Sequence, residues 1–156
     1  MNLLRSVAHL PQTLAWKGVN YWVRRSFPSV QTISTQQLAH RLSQNTAAPV
    51  LIDTRSQEEY ALSHLPDAHH AKTLDDAEAI LEKANPFGEK AVVLYCSVGY
   101  RSGRLGTALQ QAGHTVLNLE GSIFQWANEG RQLQPSNAVH PYNRLWGCLL
   151  SPANRS

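Results

Sequence analysis

Cys96-Ser97-Val98-Gly99-Tyr100-Arg101-Ser102 places a nucleophile, a turn-forming glycine and a cation within seven positions. The stretch follows Ala91-Val92-Val93-Leu94-Tyr95, a β-rich run short enough to be a central strand buried on both faces. It precedes Ser102 to Ala112, which has helical composition and meets Gly113 as a C-cap. In open parallel sheets ligands bind beyond the carboxyl ends of strands, so Cys96 stands where an active residue is expected. Gly99 permits a tight turn with its amide N–H groups aimed inward, and the start of the helix adds a positive end. The product is an anion cradle centred on sulfur. Arg101 is expected to contribute a charge that the carboxylate-free loop leaves uncancelled, favouring the thiolate, the nucleophilic form of cysteine. The cradle's larger role is to hold an anionic substrate or an anionic sulfur intermediate away from water, which points to covalent catalysis through sulfur.

The elements that must position this loop can be read on either side of it. Ser34-Thr35-Gln36-Gln37 is a capping-box pattern ahead of a short helix, and Ser56-Gln57-Glu58-Glu59 is a second one after the apolar run Val50-Leu51-Ile52. Asp75 to Ala84 reads as a helix, Thr115 to Leu119 as a strand, and Ser122 to Glu129 as a further helix. Strands alternating with helices predict an α/β fold, a central parallel sheet with helices on both faces. Residues 1–30 form a helical appendage: Leu14, Tyr21, Trp22 and Arg25 recur at helical spacing after Pro11, with Trp16, Val19 and Val23 on other faces. This helix is expected to fold back onto the body. A membrane-surface role for its interleaved aromatic and basic residues is the weaker reading. Residues 31–134 are assigned to the main domain, and 135–156, irregular and punctuated by Pro135, Pro141 and Pro152, to a tail that wraps it.

Composition bounds the function classes. A chain of 156 residues, 42% hydrophobic and 16% charged, suits one folded domain and excludes a mostly disordered one. The longest apolar run, Ala91 to Cys96, is far short of the roughly 20 residues a membrane span needs. The net charge of +3 is too modest to argue for nucleic acid. The basic excess also sits in the wrong place, because residues 1–52 hold five basic and no acidic residues while the remainder holds nine against eleven. Two cysteines in a domain of this size indicate a reducing compartment, and a cytoplasmic location is expected. Arg5, His9 and Gln12 break the apolar stretch a secretory signal would require, while the acid-free leader leaves an organellar transit peptide as an alternative.

The loop resembles the Cys-x-x-Gly-x-Arg-Ser active-site loop of the single-domain rhodaneses, the thiosulfate or persulfide sulfurtransferases. Leu51-Ile52-Asp53-Thr54-Arg55, Glu59-Tyr60 and His64-Leu65-Pro66 are similar to that family's upstream landmarks, as are Asn118-Leu119-Glu120-Gly121 and Trp126 downstream. The resemblance covers about residues 33–133. Ser63 and Asp67 stand where the family commonly has glycine around the His-Leu-Pro landmark, and Ser122 replaces a second glycine after Gly121. These departures are expected to touch turns and not the cysteine loop. The resemblance implies a double displacement in which Cys96 attacks the sulfane sulfur of a small anionic donor such as thiosulfate and becomes a persulfide. A thiol, cyanide or protein acceptor then takes the sulfur. By carry-over Cys96 is the nucleophile and Arg101 the loop cation, with the amides of Ser97, Val98, Gly99, Tyr100, Arg101 and Ser102 holding the persulfide. No cofactor and no metal are implied.

Other candidates read as structural. Cys148 lacks a loop of this kind and is taken as a packing residue. Arg55 and Glu59 are four apart and are expected to pair, so neither Arg55 nor Asp53 is assigned to catalysis. His69 and His70, being adjacent, point to different faces and make a poor metal site, and His64 is expected to top a turn. His140-Pro141-Tyr142-Asn143-Arg144 could fold over the site, although its spacing alone does not place it. Two rival functions fit part of the pattern. A phosphatase on this fold would resemble Cys-x5-Arg, and Cys96 to Arg101 is one residue shorter, suiting a single sulfur atom over a tetrahedral phosphate. A non-catalytic persulfide carrier or partner-binding module keeps the same loop and would use the basic N-terminal segment for docking.

Overall fold

Val50–Asp53 and Val92–Tyr95 are buried at every position, which a strand achieves only when both faces of its sheet are covered and both edges are paired. The computed structural model describes residues 3–44 and 48–156, with side chains from residue 12 onward. The side chains of Arg5, His9 and Pro11 invoked above lie outside the described residues. The elements are α1 (Leu3–Ser26), β1 (Gln31–Ile33), α2 (Thr35–Ser43), β2 (Val50–Asp53), α3 (Gln57–Leu62), β3 (Ser63–His64), β4 (His69–His70), α4 (Leu74–Ala84), β5 (Val92–Tyr95), α5 (Tyr100–Gln111), β6 (Leu117–Leu119), α6 (Ser122–Asn128), β7 (Gln134–Pro135) and α7 (Arg144–Gly147). Five strands form a parallel sheet in the order β1-β6-β5-β2-β4, with β5 central. β3 and β7 make a separate antiparallel pair.

Alternation along the strands divides the core in two. Leu51, Val93, Tyr95 and Leu119 face α2 and α6, through Leu38, Ile123, Phe124 and Ala127. Val50, Ile52, Val92 and Leu94 face α4 and α5, through Ala77, Leu81, Leu105 and Leu109. The α/β reading is therefore the observed architecture. Both capping boxes close as the pattern requires, Ser34 with Gln37 and Ser56 with Glu59. β1 and β4 were not expected as strands. They are short edge elements of largely polar composition, paired in parallel to β6 and β2.

Several expectations need correction. α1 begins at Leu3 and runs through Pro11 instead of starting after it, forfeiting one backbone hydrogen bond. Its buried face holds Trp16 and Val23, while Leu14 and Tyr21 are exposed. Both stripes satisfy the helical period, and the partner surface decides which is buried. Arg55 does not pair with Glu59. Arg55 lies ahead of the N-cap Ser56 and outside α3, so the helical i, i+4 geometry does not reach it. It turns instead to Asp53, with Nε to Oδ1 at 3.0 Å and Nη2 to Oδ2 at 2.7 Å. Both side chains are wholly buried. Burial works against the Arg55 charge, and the hydrogen bond and charge of Asp53 more than restore it, raising the guanidinium pKa. Arg55 also donates to the Ser63 carbonyl, fastening β3 to the end of β2.

The tail packs back onto the α2–α6 face, where Val139 and Leu150 are fully buried. Asn128, at the end of α6, donates to the Leu149 carbonyl at 2.7 Å and accepts from the Ser151 amide at 2.8 Å. Gln12 of α1 donates to the same Leu149 carbonyl at 3.0 Å. Cys148 is exposed and not a packing residue, since the turn after α7 directs Leu149 and Leu150 inward in its place. Among the described residues no helix is long and apolar enough to cross a membrane.

Removing the carboxylate charge beside Arg55 leaves an uncompensated buried cation. Asp53→Asn is expected to lower the urea unfolding free energy by about 3–5 kcal/mol, and a loss below about 1 kcal/mol would show that the pair contributes little.

Candidate active site

Cys96 directly follows β5, and its sulfur sits at the floor of the loop. Gly99, with φ of 109°, holds the left-handed conformation that caps α5 and turns its own N–H back to the Cys96 Sγ at 3.1 Å. α5 starts at Tyr100, two residues earlier than the composition suggested, so its first unpaired amides belong to the loop itself. The far side of the loop is tied to α6. The Cys96 and Ser97 carbonyls accept from the amides of Ile123 and Phe124 at 3.1 and 3.2 Å. Asn118, on β6, donates to the Gly99 carbonyl at 2.8 Å and accepts from the Ser102 hydroxyl at 2.7 Å.

Ser122 takes part in the same framework. Its φ is 49°, in the region that favours glycine, and Asp67 has φ of 60°. Two of the positions where glycine gives way to another residue are thus turns that require positive φ. Ser122 has more than a turn role, contrary to expectation: its hydroxyl accepts the Cys96 amide at 3.2 Å and donates to the Leu119 carbonyl at 3.0 Å. Ser63, by contrast, is extended and buried.

The charge of Arg101 is cancelled. Glu59, presented by the first turn of α3, receives Nη1 at 2.8 Å and Nη2 at 2.9 Å in a bidentate pair. The carboxylate also accepts from the Ser56 amide at 2.9 Å and the Ser97 hydroxyl at 3.3 Å. Arg101 Nη2 in turn donates to Ser97 Oγ at 2.8 Å. The expectation of an uncancelled cation fails because the loop is carboxylate-free only in sequence, and its counter-charge arrives from 42 residues upstream. Burial pushes the Glu59 carboxyl up, but the Arg101 hydrogen bonds, the Ser56 amide and the charges of Arg101 and Arg55 outweigh it and hold the carboxyl at about 2. Arg101 is correspondingly held above its ordinary range, against its own burial.

Above the sulfur lies a cavity of about 170 Å³ lined by Trp22, Cys96, Ser97, Val98, Tyr100, Arg101, Tyr142 and Trp146. Of the expected site residues, Cys96, Ser97, Val98, Tyr100 and Arg101 reach it, and Gly99 contributes its amide. The Ser102 hydroxyl does not, being committed to Asn118. Trp22, Tyr142 and Trp146 were not foreseen as site residues. Trp22 stacks on Tyr100 with centroids 4.7 Å apart, Trp146 lies 6.0 Å beyond it, and Tyr142 covers the Arg101 guanidinium at 4.5 Å. The segment around Tyr142 thus does fold over the loop. A larger open cleft of about 590 Å³ lies at the amino ends of β5 and β6 and contains no cysteine.

The family model for the rhodanese-like domain matches residues 34–129. The chain belongs to the rhodanese-like family. A sulfurtransferase of Allochromatium vinosum is 33% identical over 102 residues, covering 65% of this chain and 92% of that protein. A probable molybdopterin-synthase adenylyltransferase of Porphyra purpurea is 31% identical over 103 residues, and the match spans 66% of this chain but 26% of that longer protein. A thiosulfate sulfurtransferase of Pseudomonas aeruginosa shares the fold at a TM-score of 0.64 and 19% identity, over 76% of this chain and 22% of that one. The rhodanese-like match takes in the cysteine loop, Glu59 and Ser122. It stops short of Trp22, Tyr142 and Trp146, so three of the cavity's aromatic walls come from outside it.

Because the folded Glu59 carboxyl is held at about 2 against an ordinary value of 4.5, its stabilising contribution is complete above pH 4.5 and fades as pH falls toward 2. The stability difference between the wild type and Glu59→Gln should shrink by on the order of 2–3 kcal/mol across that window. Denaturation curves at stepped pH measure it, and a difference independent of pH would disprove the linkage.

Proposed function

We propose that the chain is a sulfurtransferase that moves sulfane sulfur from a small anionic donor such as thiosulfate to a thiophilic acceptor through a persulfide on Cys96. The observation that carries this reading is the Gly99 N–H placed 3.1 Å from the Cys96 sulfur, at the base of a cavity beyond the carboxyl end of β5. The Cys96 thiolate attacks the outer sulfur of thiosulfate, a new S–S bond forms, and the old S–S bond breaks with its electron pair leaving on sulfite. The terminal sulfur, now anionic, is stabilised by the loop amides at the buried floor of the cavity. A thiolate, cyanide or protein thiol then attacks that sulfur and Cys96 departs as thiolate. No cofactor or metal enters either step. In this scheme Cys96 is the nucleophile and Ser97, Val98, Gly99, Tyr100 and Ser102 form the cradle. Arg101 acts chiefly through its pair with Glu59, positioning the loop. Sulfurtransferase-named relatives support sulfur transfer as the general chemistry, and a reducing, cytoplasmic setting suits a thiol catalyst.

Treating the protein with thiosulfate, desalting, and measuring its intact mass is expected to show one added sulfur atom that a reducing thiol removes. Cys96→Ser should show no addition while keeping its circular dichroism spectrum. An adduct of the same size in Cys96→Ser, or continued transfer to cyanide, would overturn the assignment.

A further inference from the structure

The cavity above Cys96 is poorly matched to a doubly charged inorganic anion. Arg101 is the one charged side chain among its described lining residues, and its guanidinium is already engaged by the Glu59 carboxylate and covered by Tyr142. The fixed charges beside the sulfur therefore sum to about zero. What the lining offers instead is aromatic surface. Trp22, Tyr100 and Tyr142 remain 41%, 37% and 47% exposed although they converge on one opening. Large apolar side chains left uncovered around a nucleophile form a site for an apolar group. The volume of about 170 Å³ is close to that of a cavity that takes up one benzene, about 150 Å³. Trp22 stacks in parallel with Tyr100, at 7°, and with Trp146, at 17°, so the wall is one continuous aromatic stack.

Resting on the sulfurtransferase reading, we infer that the aromatic mouth selects an organic sulfane-sulfur donor, one that carries a single negative charge and a flat or apolar group, over inorganic thiosulfate. Trp22, Tyr142 and Trp146 are the specificity-determining residues. With an arylthiosulfonate as donor, the Cys96 thiolate attacks the terminal sulfur and the S–S bond to Cys96 forms. The bond from that sulfur to the sulfonyl sulfur breaks with its electron pair, and an arylsulfinate leaves. One monoanionic donor and one thiolate give one monoanionic persulfide and one sulfinate, with no oxidant or reductant required. The aryl group lies against the aromatic wall while the transferred sulfur enters the amide cradle.

The test measures single-turnover sulfur loading by intact mass with benzenethiosulfonate, methanethiosulfonate and thiosulfate. Each rate is divided by that of the same donor with a small free thiol, which removes intrinsic reactivity. The wild type is expected to favour benzenethiosulfonate over methanethiosulfonate by about 10-fold or more, as burial of a phenyl group implies, and to favour both over thiosulfate. Trp146→Ala should reduce the phenyl preference at least about threefold. Tyr142→Ala, at a half-exposed position that folding tolerates, provides an independent second variant expected to act in the same direction. A normalised phenyl preference near one, or one that neither substitution changes, would overturn the inference while leaving sulfur transfer standing. Failure of all three donors to load Cys96 would instead bring down the sulfurtransferase reading and this inference with it.

Discussion

A carboxylate buried beneath the cysteine loop governs how this site is built. Glu59 can keep its charge away from water only because Arg101, Ser97 and the Ser56 amide all converge on it. The same bonds join the start of α3 to the start of α5, two helices brought together by neighbouring strands. Arg101 is thereby held in one place, and with it the turn that aims the Gly99 amide at the sulfur. The electrostatic character of the cavity follows from this pairing. Once the guanidinium is occupied, attraction for an anion falls to backbone amides. Those act over short range and suit a single sulfur atom better than a large, highly charged group.

Features encoded by local pattern were readable in the sequence. Buried apolar runs, two capping boxes and a cysteine placed after the central strand led to a parallel α/β sheet with its reactive loop at the correct end. Features set by distant partners were not. The four-residue spacing of Arg55 and Glu59 suggests a pair, yet each finds its counter-charge elsewhere, at Asp53 and at Arg101. α1 carries two stripes of helical period, and only the docked structure shows that the one with Trp16 and Val23 is buried. Edge strands β1 and β4 have no apolar run to betray them, because their pairing uses backbone groups that every residue possesses. Ser122 was visible as a missing glycine, but its bond to the Cys96 amide depends on a turn 26 residues away.

The site has an inner and an outer part of different origin. Its floor and cradle lie within the stretch shared with the rhodanese-like family, where strands, helix starts and the Glu59 pair hold the backbone closely. Its walls are side chains from α1 and the tail, stacked on one another and on Tyr100. The hydrogen bonds that hold the loop thus come from one set of residues and the aromatic lining of the cavity chiefly from another.

The walls also come from either side of the family stretch, joined by Gln12 reaching the Leu149 carbonyl across 137 positions. On the ribosome, Cys96 and its cradle emerge well before Tyr142, Trp146 and Leu149. The tail side of the cavity therefore cannot be placed until those residues have been synthesised. The bond between Gln12 and Leu149 closes a loop of 137 positions, a contact costly in chain entropy. Completion of the cavity is thus tied to the docking of the tail, while the cysteine loop is set by strands and helix starts nearer to it in sequence.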